Sequence, residues 1–245
     1  AFCQDIDEYR NAQEVIDDFF EKIGGGDKWK SLKTRIEYST EIRHDDSENL
    51  PINNSSDVIN YFKSPNFNTK KKLSFLKGKS LLVFTSECSW YYSEVLSSIL
   101  FFDYGDVKPS DRYAKSEFLE AFNLRHKNIS ERNDSSYIVR FIDKRRKDGV
   151  QKMYFDMNTK LLVKRSFIDK NGVLWTYYFN NYVEKNGITE PREIILNSNN
   201  EPFLTIAINK IIYNEDIEPT LFSSPVPCGE PETHLKIDNS LLSNY

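Results

Sequence analysis

Between Gln151 and Pro225 the chain alternates short runs rich in Val, Ile, Phe, Tyr and Trp with turn-forming residues, and no other stretch constrains the fold as strongly. The breaks are Asp156 to Asn158, Asn171-Gly172, Asn186-Gly187 and Asn197 to Asn200. Asn-Gly and Asn-Asn pairs tolerate the positive φ of tight hairpin turns, so the stretch predicts a row of antiparallel hairpins. Side chains alternate across a sheet, which sets Trp175, Tyr177 and Phe179 on one face of one strand and Leu204, Ile206 and Ile208 on one face of another. A sheet with that much apolar surface requires a cover.

The candidate cover lies upstream. From Asp7 to Ile23, Tyr9, Ala12, Val15, Ile16, Phe19, Phe20 and Ile23 recur at helical spacing with acidic residues opposite, predicting an amphipathic helix. Gly24-Gly25-Gly26 supplies its C-terminal cap, and Asp27 opens a short turn holding Trp29 and Leu32. A phosphate-binding glycine loop would instead follow a strand. Thr34 to Arg43 alternates as a first strand, followed by a polar loop. INYFKSP, TKKKLSFLKG, KSLLVFTS and SWYYS read as successive strands broken at Pro65, Gly78 and Glu87 to Ser89. The period fails at Glu94 to Tyr104, a compact apolar patch. It reads as core, as a flap over a cavity, or as a membrane or partner contact. A second helix is expected from Asp111 to Arg125, with Phe118 on its apolar face, then a strand in SSYIVRFIDKR. After Pro225, three further prolines or glycines and little periodicity predict an extended tail, 226–245, beyond a single domain of 1–225.

A net charge of -4 does not suit a nucleic-acid protein, which needs a basic surface. The local clusters Lys70-Lys71-Lys72 with Lys77 and Lys79, and Lys144 to Lys147, read as solvated hairpin tips or as contacts for anionic head groups or a partner. No apolar run approaches the ~20 residues of a membrane span. A start at Ala1 suits a mature form whose signal peptide has been removed. Cys3, Cys88 and Cys228 are too few for a disulfide scaffold and too scattered for zinc; one bridge is expected at most, with Cys88 and Cys228 the favoured pair. Phe2 sits where a lipoprotein signal has a small residue, so lipidation of Cys3 fits poorly. His44 beside Asp45 and Asp46 lies in a polar loop, far from His126 and His234, and no nucleophile elbow or paired metal ligands occur. Sequons begin at Asn53, Asn54, Asn128 and Asn133, as an Asn- and Ser-rich chain produces by chance. No cofactor, metal or catalytic residue is expected, and the protein is read as a non-enzyme.

Three sets of residues in order carry a family resemblance. They are Val15 to Phe20 with Lys22 to Gly25 and Trp29 to Leu32; Tyr61 to Asn66 with the Lys72 to Ser80 hairpin and Trp90; and Tyr154 to Asp156, Leu161 to Lys164, Gly187-Ile188, Pro191 and Asn214 to Pro225. Together they resemble the LolA/LolB-type lipoprotein carriers and their relatives among outer-membrane lipoprotein-sorting proteins. The loop Asn49 to Ser56, the stretch Ser93 to Lys108 and the tail after Val226 have no counterpart, and no particular arginine or membrane-inserting loop of the carriers can be matched.

The resemblance implies a mainly β fold, an unclosed and strongly curved antiparallel sheet (a half-barrel) wrapped around amphipathic helices, with an acyl-chain cavity between them. It further implies a monomeric carrier for a lipid, lipoprotein acyl chain or other hydrophobic ligand in the periplasm or cell envelope of a Gram-negative bacterium. The residues expected to line the cavity are Phe19, Phe75, Leu82, Phe84, Trp90, Phe118, Phe155, Trp175, Tyr177, Phe179, Ile206 and Ile208, although each is also explained as plain core. The alternative is an envelope module with a filled core that docks a protein partner or membrane surface through Leu96, Ile99, Leu100, Phe101 and Phe102.

Overall fold

The computed structural model describes residues 11–44, 55–63, 67–74, 78–85, 89–94, 98–101, 126–142, 150–224 and 233–234. Two compact units are interleaved along the chain, 1–30 with 124–205 and 31–123 with 206–245. The chain is mostly β, with two α-helices among the described residues. Fourteen strands belong to a large antiparallel sheet that is not closed. This is the fold class expected from the sequence.

In the first unit, α1 (Ala12–Lys22) begins at Asn11, whose side-chain oxygen accepts a hydrogen bond from the Glu14 N–H at 3.0 Å. Its apolar stripe buries Val15, Ile16 and Phe19, and Ile23 follows at the C-cap. Gly24 ends the helix at φ +112° and approaches the Gly187 carbonyl so closely that a Cβ would collide with backbone. α2 (Gly26–Ser31) buries Trp29, whose indole N–H donates to the Ile23 carbonyl.

The sheet strands of this unit are β7 (His126–Arg132), β8 (Ser136–Ile142), β9 (Val150–Asp156), β10 (Leu162–Ile168), β11 (Leu174–Asn180) and β14 (Glu193–Ser198), adjacent in the order β14-β11-β10-β9-β8-β7. β12 (Val183–Lys185) and β13 (Ile188–Glu190) form a separate hairpin around Asn186-Gly187. The turns lie where the sequence placed them. Asp156 accepts from the Asn158 and Thr159 N–H groups and Asp169 from those of Asn171 and Val173, while Asn186, Asn199 and Asn200 take positive φ.

In the second unit, β1 (Thr34–Arg43), β2 (Ser55–Lys63), β3 (Phe67–Ser74), β4 (Gly78–Phe84), β5 (Ser89–Ser93) and β6 (Ser98–Phe101) form an antiparallel meander. β15 (Glu201–Tyr213) lies beside β1, and β16 (Thr233–His234) pairs with β6. Ile36, Leu81, Val83, Trp90, Tyr92 and Ile99 pack with Ile217, Leu221 and Phe222, the last two from a 3-10 turn at Pro219–Phe222.

Two expectations need correction. The patch read as aperiodic contains β6, whose Ile99 pairs with Tyr92 and is buried. Four residues are too few to display a period. His126–Arg132 forms β7, where no strand is expected; HKNISER holds one apolar residue, and a register shift between Asn128 and Ser130 erases the alternation. Within 226–245, Thr233–His234 is the described segment and pairs with β6. The expected helix Asp111 to Arg125 and all three cysteines lie outside the described residues.

Candidate ligand site

Register defines which side chains share a face. Val139 pairs with Met153, Met153 with Arg165, Arg165 with Tyr177 and Tyr177 with Leu196, so these project from one face across five strands. Phe155 lies two residues from Met153, Phe167 two from Arg165, and Trp175 and Phe179 flank Tyr177.

That face has two ends. At one, Phe155, Leu162, Phe179 and Ile194 are sealed, and Phe19 of α1 meets Phe155 edge to face with centroids 5.4 Å apart. At the other, Phe167, Trp175, Tyr177 and Leu196 are only half-buried and Phe203 is 39% exposed. The rings there are in contact. Phe167 stacks on Tyr177 and Tyr177 on Phe179, each at 6.3 Å, and Trp175 meets Phe203 edge to face at 5.2 Å.

Polar groups punctuate this end. The Arg165 guanidinium lies 5.1 Å from the Phe167 centroid and 5.3 Å from that of Tyr177, and its Nε donates to Gln151 Oε1 at 3.0 Å. The Trp175 indole N–H donates to Asp169 Oδ2 at 3.1 Å. That bond, followed by the Val173 N–H, holds the Asp169 carboxyl below its ordinary range. Behind the sealed end, the Tyr182 hydroxyl donates to the Leu162 carbonyl at 2.6 Å. Burial, reinforced by the Glu190 carboxylate, pushes that phenol well above its usual value and keeps it neutral.

The structure therefore brings Phe19, Phe155, Trp175, Tyr177 and Phe179 together in the first unit. In the second, Leu82 pairs with Tyr91, whereas Val83 pairs with Trp90, so Trp90 occupies the opposite face to Leu82; Phe84 is the register partner of Ser89. Trp90 belongs to the core with Ile36 and Ile99. Ile206 and Ile208 are buried on β15. Leu100 and Phe101 occupy strand positions in β6, and Phe75, Leu96, Phe102 and Phe118 lie outside the described residues.

Sequence reading missed Gln151, Arg165, Phe167 and Phe203; the signal for two of them was the shared parity of Arg165 and Phe167. It also missed a buried polar row on β1. Arg35 and Glu37 form an ion pair at 2.6 Å with exposures of 4% and 7%, Asn60 donates to the second Glu37 oxygen, and Ser39 and Glu41 continue the row. The Ser39 hydroxyl has no hydrogen-bond partner.

Among the described residues no group of three or more His, Cys, Asp or Glu is placed to hold a metal, and no helix is long and apolar enough to cross a membrane. No protein-family model matches the chain, and no curated protein matches it by sequence. Solved structures do match. A Vibrio parahaemolyticus domain described as an outer membrane lipoprotein-sorting protein domain aligns at TM-score 0.56 and 12% identity, over 85% of this chain and 94% of that one. A DUF1329 family protein from Desulfovibrio piger aligns at TM-score 0.61 and 14% identity, over 86% and 96%. A LolA superfamily protein from Nitrosomonas europaea aligns at TM-score 0.59 and 12% identity, over 88% and 98%. The resemblance carried by the sequence motifs thus holds at the level of fold: this chain folds as LolA superfamily and outer membrane lipoprotein-sorting domains do.

Proposed function

We propose that the protein is a non-enzymatic carrier or binding protein for a hydrophobic ligand, a lipid or a lipoprotein acyl chain, acting in the periplasm or cell envelope of a Gram-negative bacterium as a monomer. The half-covered aromatic face formed by Phe167, Trp175, Tyr177 and Phe203 carries this reading. The shared fold with a lipoprotein-sorting domain supports it. An acyl chain laid on these rings gains about 0.8 kcal/mol per buried methylene, so a long chain is held without a covalent step.

Native mass spectrometry of the purified protein, with extraction and analysis of whatever dissociates, tests the reading. A bound acyl-chain species at defined stoichiometry is expected, and Trp175→Asp should lose it while remaining folded. A protein that is empty and refuses fluorescent fatty-acid and lipid probes would not be a carrier.

A further inference from the structure

Trp90 is the most deeply buried of the three tryptophans, at 2% exposure, and the one whose indole N–H has no hydrogen-bond partner. The Trp29 N–H donates to the Ile23 carbonyl at 3.2 Å and that of Trp175 to Asp169 Oδ2 at 3.1 Å. Buried indoles ordinarily find such a partner, because a donor shut away from water and left unpaired forfeits its solvation. A phenylalanine would fill apolar surroundings without that loss. The neighbourhood of Trp90 is poor in acceptors. β5 is paired on both sides, with β4 and with β6, so its backbone groups serve the sheet. Register sets Ile36, Tyr61, Val83 and Trp90 on one face of the meander, and Ile217, Leu221 and Phe222 pack into the same cluster. Apart from tyrosine hydroxyls the other side chains of that cluster carry no polar atom, whereas a trapped water needs about two to four polar partners.

Resting on the carrier reading, we infer that Trp90 is a ligand-binding residue of the second unit, whose indole N–H donates to the carbonyl oxygen of an esterified or amidated acyl chain. An indole is a donor only and carries no charge, so it suits a neutral carbonyl. In an apolar interior the bond forms without competition from water, and a chain lacking an acceptor leaves the donor unpaired, which is how one buried polar group discriminates between two chains of equal length. Trp29 and Trp175 already have acceptors and serve as internal controls. Trp175 also reports on the aromatic face of the first unit, so the two locations of a bound chain are told apart.

Proton–nitrogen correlation NMR of the intact, delipidated chain with labelled indoles resolves the three N–H groups, and Trp29→Phe and Trp175→Phe assign that of Trp90 by elimination. Without ligand the Trp90 resonance should lie upfield of the other two, as an unbonded N–H does. Methyl hexadecanoate supplied from cyclodextrin should move it downfield, and hexadecane, which has no acceptor, should not. Wild-type protein should bind the ester about three- to tenfold tighter than the alkane, and Trp90→Phe should bind the two alike. Equal wild-type affinity for ester and alkane would overturn the inference while the carrier reading stood. So would ester binding that moves Trp175 alone. A Trp90 resonance already downfield in the ligand-free protein would mean that a protein group or a water fills the role, and would overturn it too. Failure of either compound to bind would overturn both readings. The wild-type spectra decide the matter even if Trp90→Phe does not fold.

Discussion

Strands β1 and β11 invert one another. In TRIEYSTEIR the charged residues Arg35, Glu37 and Glu41 are as buried as Ile36, whereas in LWTYYFN the large rings of Trp175, Tyr177 and Tyr178 stay half-exposed and the small polar Thr176 is buried. Hydrophobicity would assign the faces the other way. A strand's pattern tells which residues share a face, but the elements packed on that face decide whether it is dry. On β1 the charges become tolerable in the interior because they neutralise one another at 2.6 Å and Asn60 completes the acceptor set. On β11 the rings are left partly bare, which forgoes part of their hydrophobic stabilisation.

The sharpest way to break this comparison is to strand one charge of the β1 pair. Glu37→Leu should cost about 3–5 kcal/mol in urea denaturation by removing the carboxylate that lies 2.6 Å from the buried Arg35 guanidinium, and adding Arg35→Met should restore most of the loss. A single replacement without effect would mean that the pair is hydrated in solution. Next comes the contrast within the aromatic face. Phe155→Ala, at the sealed end, should cost about 3 kcal/mol or more, whereas Trp175→Ala should cost about 1–2 kcal/mol and show its larger effect on ligand loading. Equal costs would make both ends plain core.

Smaller effects sharpen the picture. Ser39→Ala removes a buried hydroxyl that lacks a partner, so thermal unfolding should report a gain of about 1 kcal/mol; a loss would reveal a bound water or ligand group on that oxygen. The smallest effect follows pH. Asp169 is held below its ordinary value, so its contribution is fully present above the unfolded carboxylate value of about 4 and is lost as pH falls through the lower folded value. The Trp175 indole proton resonance should follow that titration with a midpoint below about 4 and lose it in Asp169→Asn. A midpoint at or above the ordinary value would dissolve the link between the turn and the ring.

Much of the architecture was legible. The bounds of β1 follow from alternation alone, because ten residues display a period of two clearly. Gly24 announced the end of α1, and its positive φ and backbone contact with Gly187 explain why. Trp175, Tyr177 and Phe179 were recognisable as one set. Arg165 was not, since an arginine in an alternating strand ordinarily marks the wet face, and only the pairing with Met153 and Tyr177 reverses that assignment. The separation of Trp90 from Leu82 was hidden for the same reason: one residue of register transfers a side chain to the other face.

The sequence by itself determined the local structure: strands from alternation, hairpins from Asp, Asn and Gly at positions needing side-chain acceptors or positive φ, and a capped amphipathic helix beneath aromatic strands. These depend on a few neighbouring residues and are therefore written within them. The tertiary structure alone decided which faces were sealed, drawing Arg35 and Glu37 inside and leaving Arg165 among half-bare rings. Those outcomes depend on register between distant strands and on what packs against each face, and no local pattern encodes either.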